Sequence, residues 1–417
     1  MIAKKNTSKK ILIVSCISTD KQSAFQRING FVSYLSEFGH DVEVVALKSN
    51  NGPSFSDFMS VPVHDISNKG YISYFNLTGR DCFVVHKIKA AFNLVLNITG
   101  FERYKKWKIE AEREIRMLLA SENFDVVISS YAPEAAHEVI LKLKSSFPHI
   151  KWIADMRDEM SHSPYLKPRQ QKKIYKIEQD ILNKADAIVS VSKPIIDGFL
   201  ENSRNPDLIF GEIRNGYNYE PILYKKVAPR LPSEKCRLAF LGTFYGDIIP
   251  NTLFSAIKIL GDNSCCFDIK FIGTNSGVLI PNELSAIVTK CEPIAYDDAI
   301  NNMKYKQDGL LLILPNSGRR GVYSGKVFEY MASGTPILGI LDPTDVAADL
   351  IKESCTGYVA DFNCPDKIAE MLLSFLEQWR LGLNIRVNDE VVLNHHRRSQ
   401  VSKLNNLIVK EIFNEHR

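Results

Sequence analysis

A chain of 417 residues, 45% hydrophobic and 24% charged, has material for two sizeable cores and none of the bias of a disordered or fibrous protein. Its formal net charge of +4, carried as a small basic excess in the first half, suits acidic substrates or an anionic membrane surface and is far too small to argue for nucleic acid. Eight cysteines with no C-x-x-C pair and no zinc-spaced His/Cys cluster speak against a disulfide scaffold or a zinc module and for a reduced compartment.

The opening MIAKKNTSKK is basic, but the apolar run behind it is too short for a signal-peptide core. No stretch approaches the ~18 apolar residues of a membrane span. A cytoplasmic protein is expected. Residues 11–14 (Ile-Leu-Ile-Val) read as a strand buried on both faces of a parallel sheet. Phe25, Ile28, Phe31, Val32, Leu35 and Phe38 then recur at helical spacing, Gly39 stops that helix, and residues 42–47 give a second strand. That is a βαβ unit, so the fold is α/β. Residues 86–108 have an apolar centre flanked by Lys87, Lys89, Arg103, Lys105, Lys106 and Lys108. Such a helix can lie on an anionic bilayer, or it can cover its own core with a solvated basic edge.

The alternation continues with a strand at 125–128, a helix through Leu143, and a strand at 152–154 that ends at Asp155. A charged helix over 172–184 leads into a strand at 187–191, after which Ser192 is placed as an N-cap with Pro194 in the first turn. Periodicity fades around 211–235, which reads as a linker. A second series of strands follows at 238–242, 269–273, 309–315 and 336–340. The expected domains are residues 1–210, 236–393, and a terminal helix over 394–417 that packs back on the first domain. Both are doubly wound, with ligands expected at the carboxyl ends of the strands.

The densest chemistry lies in residues 317–336. Ser324 is placed to cap a short helix from Gly325, with Val327, Phe328 and Met331 on its apolar face and Gly334 as a left-handed stop. A helix start behind a Gly-rich loop leaves N–H groups and partial positive charge free, a site suited to a diphosphate. Lys326, Arg319 and Arg320 would add full charges. Glu329, one turn in, can accept two ribose hydroxyls. The same local pattern also fits a plain Lys326–Glu329 surface pair worth a few tenths of a kcal/mol.

The run GKVFEYMASGTPIL resembles the donor-site segment of glycosyltransferase family 4, where a Glu at the position of Glu329 holds the nucleotide ribose and the preceding backbone meets the diphosphate. Further segments are similar to that family in the same order: Gly39-His40-Asp41-Val42, Ala154-Asp155-Met156-Arg157-Asp158, Glu178 with residues 185–192, Ile213-Arg214-Asn215-Gly216, and Phe240-Leu241-Gly242-Thr243. The resemblance implies a GT-B fold, two Rossmann-like domains facing a cleft. It also implies a nucleotide-sugar donor on the second domain and retention of anomeric configuration. Two departures stand out. Gly321 occupies the place of the first of two Glu residues seven apart, and the Arg/Lys pair expected after the first strand of the second domain is absent.

The donor-binding candidates are therefore Gly242, Thr243, Arg319, Arg320, Ser324, Gly325, Lys326, Val327 and Glu329. Asp158 and Arg157 are the catalytic candidates, Asp158 to activate an acceptor hydroxyl and Arg157 to orient it or hold a phosphate. A buried Asp–Arg structural pair is the competing reading of that motif. Ser15, Arg27, His137 and Asp155 are acceptor-side candidates, His137 also fitting a plain covering role. Glu178 fits either a brace or a solvated helix face. The absence of D-x-D argues for a metal-independent reaction, and no resident cofactor is expected. The missing Gly-x-Gly-x-x-Gly after the first strand argues against a nicotinamide enzyme. The expected activity is transfer of a sugar from a UDP-sugar to a lipid-linked or polysaccharide acceptor in bacterial surface polysaccharide synthesis, with peripheral membrane contact. A nucleotide-sugar 2-epimerase and a non-catalytic GT-B-like subunit are the alternatives.

Overall fold

The computed structural model describes residues 8–18, 22–49, 52–69, 87–89, 91, 102–244, 249–273, 278–315 and 318–413. The chain divides into two compact units, Met1–Arg214 with Arg397–Arg417, and Asn215–His396.

The first unit runs β1 (Lys10–Ser15), α1 (Gln22–Glu37), β2 (Asp41–Leu47), β3 (Val63–Ile66), α2 (Lys105–Ser121), β4 (Val126–Ser130), α3 (Ala135–Leu143), β5 (Lys151–Asp155), α4 (Pro168–Lys184), β6 (Ala187–Ser190), α5 (Lys193–Asn202) and β7 (Ile209–Glu212). Its described strands form one parallel sheet in the order β3-β2-β1-β4-β5-β6-β7, with Ile11 opposite Val42 on one side and Val126 on the other. Both faces of β1 are covered, which is why its apolar run is unbroken. From α1, Ile28, Phe31 and Leu35 are buried against Ile13, Val44 and Ile128. Each such side chain contributes roughly 1.5–3 kcal/mol on leaving water. Gly39 ends the helix with φ 94°, and the His40 and Gly39 amides bond the Leu35 and Ser36 carbonyls. That pattern leaves the last turn with no orphan there.

The second unit runs β8 (Tyr224–Val227), β9 (Cys236–Leu241), α6 (Asn251–Ile259), β10 (Phe267–Ile272), β11 (Val288–Cys291), α7 (Tyr296–Asn301), β12 (Gly309–Ile313), α8 (Gly325–Ala332), β13 (Ile337–Leu341), α9 (Val346–Glu353), β14 (Gly357–Asp361), α10 (Pro365–Leu381), β15 (Leu383–Arg386) and α11 (Asp389–Asn394). Its main sheet is parallel, ordered β11-β10-β9-β12-β13-β14, and β8 pairs antiparallel with β15. One face is filled by Phe240, Phe271, Leu311, Leu372, Phe375 and Trp379, the other by Leu310, Leu312, Val327, Phe328 and Ile351. In both sheets the strand order reverses beside the first strand, between β1 and β4 and between β9 and β12. Such a switch point opens a crevice at the strands' carboxyl ends.

Several local expectations change. The stretch 211–235, expected as linker, carries the end of β7 and the whole of β8, because β8 finds its hydrogen-bond partner in β15, far along the chain. The single helix expected from 394 is interrupted at His395–His396. Beyond the break, α12 (Arg397–Asn406) and a wider-wound turn, Leu407–Ile412, belong to the first unit, where Leu404, Leu407 and Ile408 join the core with α1. Ser192 sits at the N-cap of α5 with Pro194 in the first turn, yet its side chain makes no cap bond and its Oγ is buried without a partner among the described residues. Most of the apolar centre of 86–108 lies outside the described residues. Lys108 from its basic flank is tied to Glu138 (2.7 Å) and Glu102 rather than presented outward. Among the described residues no helix is long and apolar enough to cross a membrane.

Candidate functional site

In the second unit the chemistry gathers where β9 ends and α8 begins. Ser324 caps α8 from an extended conformation, its Oγ accepting from the Lys326 amide at 3.4 Å while its carbonyl accepts from Val327. Val327, Phe328, Tyr330 and Met331 anchor the helix by burial, and Gly334 closes it with φ 69°. The Tyr330 hydroxyl accepts from the Leu241 amide at 2.9 Å, fixing the helix to the last residue of β9. The N-terminal turn therefore has a defined position at the switch point, where a helix start carries the partial positive charge that favours anions.

Lys326 folds back over the end of β9. Its ammonium lies 5.2 Å from the centroid of the Phe240 ring. A Cβ placed on Gly242 would stand 2.4 Å from Lys326 Cε, and Gly242 has φ 124°, so glycine is demanded there on two counts. Among the described residues Lys326 Nζ has no hydrogen bond and no ion pair, and burial lowers its pKa, with Glu329 acting in the opposite direction. The surface pair with Glu329 is thus not formed. Glu329 Oε1 instead accepts from the Tyr296 hydroxyl at 2.8 Å, while the Tyr219 hydroxyl donates to the Glu329 carbonyl.

The remaining donor candidates divide. Thr243 donates to the Gly273 carbonyl at 3.3 Å, joining the ends of β9 and β10. Gly325 opens the helix, and Val327 is fully buried, so only its backbone can serve a ligand. Arg319 is half-buried, whereas Arg320 is exposed and acts on Asp342. It is Lys326 that occupies the neighbourhood of the missing Arg/Lys pair. The place of the missing Glu is also explained: Gly321 has φ 79° and its amide bonds Asp345 at 2.9 Å, a backbone that a Glu would adopt only with strain.

In the first unit, the acceptor-side candidates Arg27 and Asp155 are partners of each other. Asp155 is wholly buried, and Arg27 reaches it from α1 with Nη2 at 2.7 Å and Nε at 3.0 Å, while Ser130 donates at 2.8 Å. Arg27 Nη1 also bonds the Ile213 carbonyl at 2.8 Å, so one guanidinium ties α1, β5 and the end of β7. This is a brace. Ser15, at the end of β1 opposite Ser130, is buried with its Oγ unpartnered among the described residues.

His137 is fully buried on α3. Trp152 Nε1 can only donate, and it donates to Ser129 Oγ at 2.8 Å; Ser129 Oγ in turn shares a hydrogen bond with His137 Nδ1 at 2.6 Å. The other ring nitrogen, Nε2, is buried with no partner among the described residues. Burial holds the pKa of His137 down at about 4. Arg157 donates from Nε to the Tyr131 carbonyl, and burial lowers its pKa while Asp155 and Asp158 oppose that. Asp158 is half-buried beside Tyr131, whose phenol is pushed up by burial and then by Asp158, Glu134, Glu159 and Glu178. Glu178 is buried rather than solvated. Its Oε2 accepts from the Ser161 amide at 3.0 Å, its Oε1 has no partner among the described residues, and burial raises its pKa. Between these groups Met160 is held at φ 42°, a strained conformation for a residue with a side chain.

The sequence reading missed Tyr296, Tyr219, Tyr330, Ser129, Ser130 and Tyr131. Tyr330, next to Glu329 on a helix whose face is otherwise aliphatic or phenyl, carried a polar handle that had to be satisfied, and that was a usable signal. The others are brought in by strands and helices remote in sequence.

No family model matches the chain, and no curated protein matches it in sequence. Solved structures do resemble it. The N-terminal domain of Candida albicans trehalose-6-phosphate phosphatase aligns with TM-score 0.63 at 11% identity, covering 98% of this chain and 97% of that one. A UDP-N-acetylglucosamine 2-epimerase of Listeria monocytogenes, assigned by its describers provisionally, aligns with TM-score 0.55 at 13% identity over 98% of each chain. WaaG, a glycosyltransferase involved in lipopolysaccharide biosynthesis, aligns with TM-score 0.54 at 12% identity over 96% of this chain and 99% of that one. At such identities the likeness shows the fold. The chain has the GT-B fold, two Rossmann-like units of parallel sheet and helix.

Proposed function

We propose that this protein is a glycosyltransferase that takes a sugar from a nucleotide-sugar, UDP-linked in the first instance, and transfers it to a lipid-linked or polysaccharide acceptor. One observation carries the reading: Lys326 is a buried cation without an ion pair among the described residues, set over Gly242 beside the start of α8. A diphosphate supplies the missing negative charge, and Glu329 stands one turn further along for the ribose hydroxyls, with Tyr296 holding its carboxylate meanwhile. The family resemblance of residues 325–338 supports the same assignment.

In this reading the leaving nucleoside diphosphate is stabilised by fixed donors, the α8 amides and Lys326, and needs no divalent metal. Asp158 serves the acceptor hydroxyl as base or orienting group, with Arg157 held in place through the Tyr131 carbonyl. The acceptor class and retention of configuration rest on the resemblance, a cytoplasmic location on the cysteine usage and the lack of long apolar runs, and work at a membrane surface on the basic flanks of residues 86–108.

A second reading has its own support. Tyr131, Asp158, Glu159 and Glu178 form a titratable group in the first unit denser than simple hydroxyl activation requires, and 2-epimerases are among the structures that resemble this chain. The test begins with thermal shifts against UDP, GDP, CMP and ADP in EDTA, beside Glu329→Ala. Stabilisation by one nucleotide that the variant loses supports the donor site, and no shift with any nucleotide favours a non-catalytic subunit. Incubation with the matching nucleotide-sugar then separates transfer or slow hydrolysis from isomerisation of the sugar.

A further inference from the structure

A second concentration of positive charge lies at the other end of the second unit's sheet. Lys225 on β8, Arg230 just beyond it, and Arg237 at the start of β9 line a cavity of about 70 Å³ together with Asp308, Gln307 and Trp379. Arg237 to Gly242 spans the length of β9, so at ~3.3 Å per residue the cavity and the α8 site lie on the order of 15 Å or more apart. A single water needs roughly 10–15 Å³ of such space, so the cavity holds a small polyatomic group but not a nucleotide.

Its charges do not cancel. Asp308 is the carboxylate among the described lining residues, and Arg237 engages both of its oxygens, Nε at 2.9 Å and Nη2 at 3.0 Å. Arg230 pairs with Asp308 at 3.8 Å and with the more exposed Glu234 at 3.4 Å, while its Nε is buried with no hydrogen-bond partner among the described residues. Among the described residues Lys225 Nζ meets neutral acceptors, the Lys304 carbonyl at 2.7 Å and Thr335 Oγ1 at 3.2 Å. Burial and the two neighbouring guanidiniums lower its pKa, the Asp308 charge opposing them. Three cations, Lys225, Arg230 and Arg237, therefore share the cavity with one lining carboxylate, Asp308, an excess of positive charge that costs stability until an anion enters.

We propose that this cavity is a binding site for a single tetrahedral oxyanion, phosphate or a terminal phosphate group, held by Lys225 and Arg230 with Arg237 at its edge. The Arg230 guanidinium, its central carbon 5.8 Å from the centroid of the Trp379 ring, and the Lys225 ammonium, with N–H to spare beyond its two neutral acceptors, supply the charge. The site is separate from the donor site and stands whether or not the nucleotide reading holds.

The test uses the full chain carrying Lys326→Gln, which removes the other anion site. Its melting temperature is followed against inorganic phosphate at constant ionic strength set with sodium chloride. A saturable rise is expected, with the half-saturating concentration raised about tenfold or more in Lys225→Gln and in Arg230→Gln, each losing one charge-assisted hydrogen bond. Each variant is compared with itself without phosphate, so a change in its basal stability does not obscure the result. Lys367→Gln, an exposed site of the same charge change, should behave as the parent. Sedimentation with phosphatidylglycerol vesicles forms a second arm: binding that the two variants lose, without a response to free phosphate, would assign the anion to a lipid headgroup. A phosphate response unchanged in both variants, or no variant-sensitive response in either arm, overturns the proposal.

Discussion

The carboxyl edges of the two sheets handle charge in opposite ways. In the first unit, Asp155 is completely buried and both its oxygens are taken, by Arg27 and by Ser130, while Arg27 spends a further N–H on the Ile213 carbonyl. In the second unit, Lys326 is folded back over Gly242 and meets no acceptor among the described residues. A charge that folding satisfies is part of the scaffold. One that folding leaves unmet at a helix start is held for something that arrives later.

That contrast is open to direct attack. The largest expected effect is on the brace: Asp155→Asn leaves the Arg27 guanidinium buried and poorly paired and should cost about 3–5 kcal/mol in the urea unfolding of the first unit. Lys326→Met should leave stability unchanged or raised, and should instead weaken nucleotide binding about ten- to a hundredfold, the worth of a hydrogen bond to a charged group. Equal destabilisation by the two substitutions would erase the distinction.

A middle-sized effect concerns His137, a buried group of the first unit. Its pKa is about 4 in the fold against an ordinary 6.5, so the unfolded chain takes up the proton first. Stability is then intact above pH ~6.5 and falls as the pH drops toward about 4, by up to about 3 kcal/mol. His137→Gln should flatten that part of the profile. An unchanged slope between pH 7 and 5 in the variant would show that the loss belongs to other groups.

The smallest effect sharpens the comparison at the second edge. Gly242→Ala forces a side chain into a φ of 124° and against Lys326 Cε, and should cost roughly 1–3 kcal/mol while displacing the lysine from its place over β9. Nucleotide affinity should fall with it. Preserved affinity would mean that Lys326 reaches the ligand from elsewhere.

Much of this was readable in the chain itself. The unbroken apolar run of β1, the helical spacing of α1, and the glycine stops at 39 and 334 are set by neighbours within a few residues, and the folded elements follow them closely. So does the capped start of α8, since Ser324, Gly325 and the buried face of Val327 and Phe328 are all local features. Where the reading depended on which residues face each other across space, it stopped. Lys326 and Glu329 stand three apart and would pair on an isolated helix, but the end of β9 draws one away and Tyr296, thirty-three residues upstream, holds the other. Arg27 and Asp155 lie 128 residues apart, and each looked like a ligand-facing candidate until the sheet brought them together. β8 was invisible because a two-stranded ribbon at a domain edge needs its partner, β15, to exist at all.

By itself, then, the sequence determined the succession of strands and helices, the two doubly wound halves and the helix start at residue 325, because capping, turn chemistry and hydrophobic periodicity act over one or two turns of chain. The tertiary structure alone decided which charges are consumed and which remain, because a salt bridge or a buried hydroxyl is settled by groups that meet only after the strands have found their order. Lys326, Lys225 and Arg230 are distinguished from the chain's many other cations by that outcome and by nothing in their local sequence.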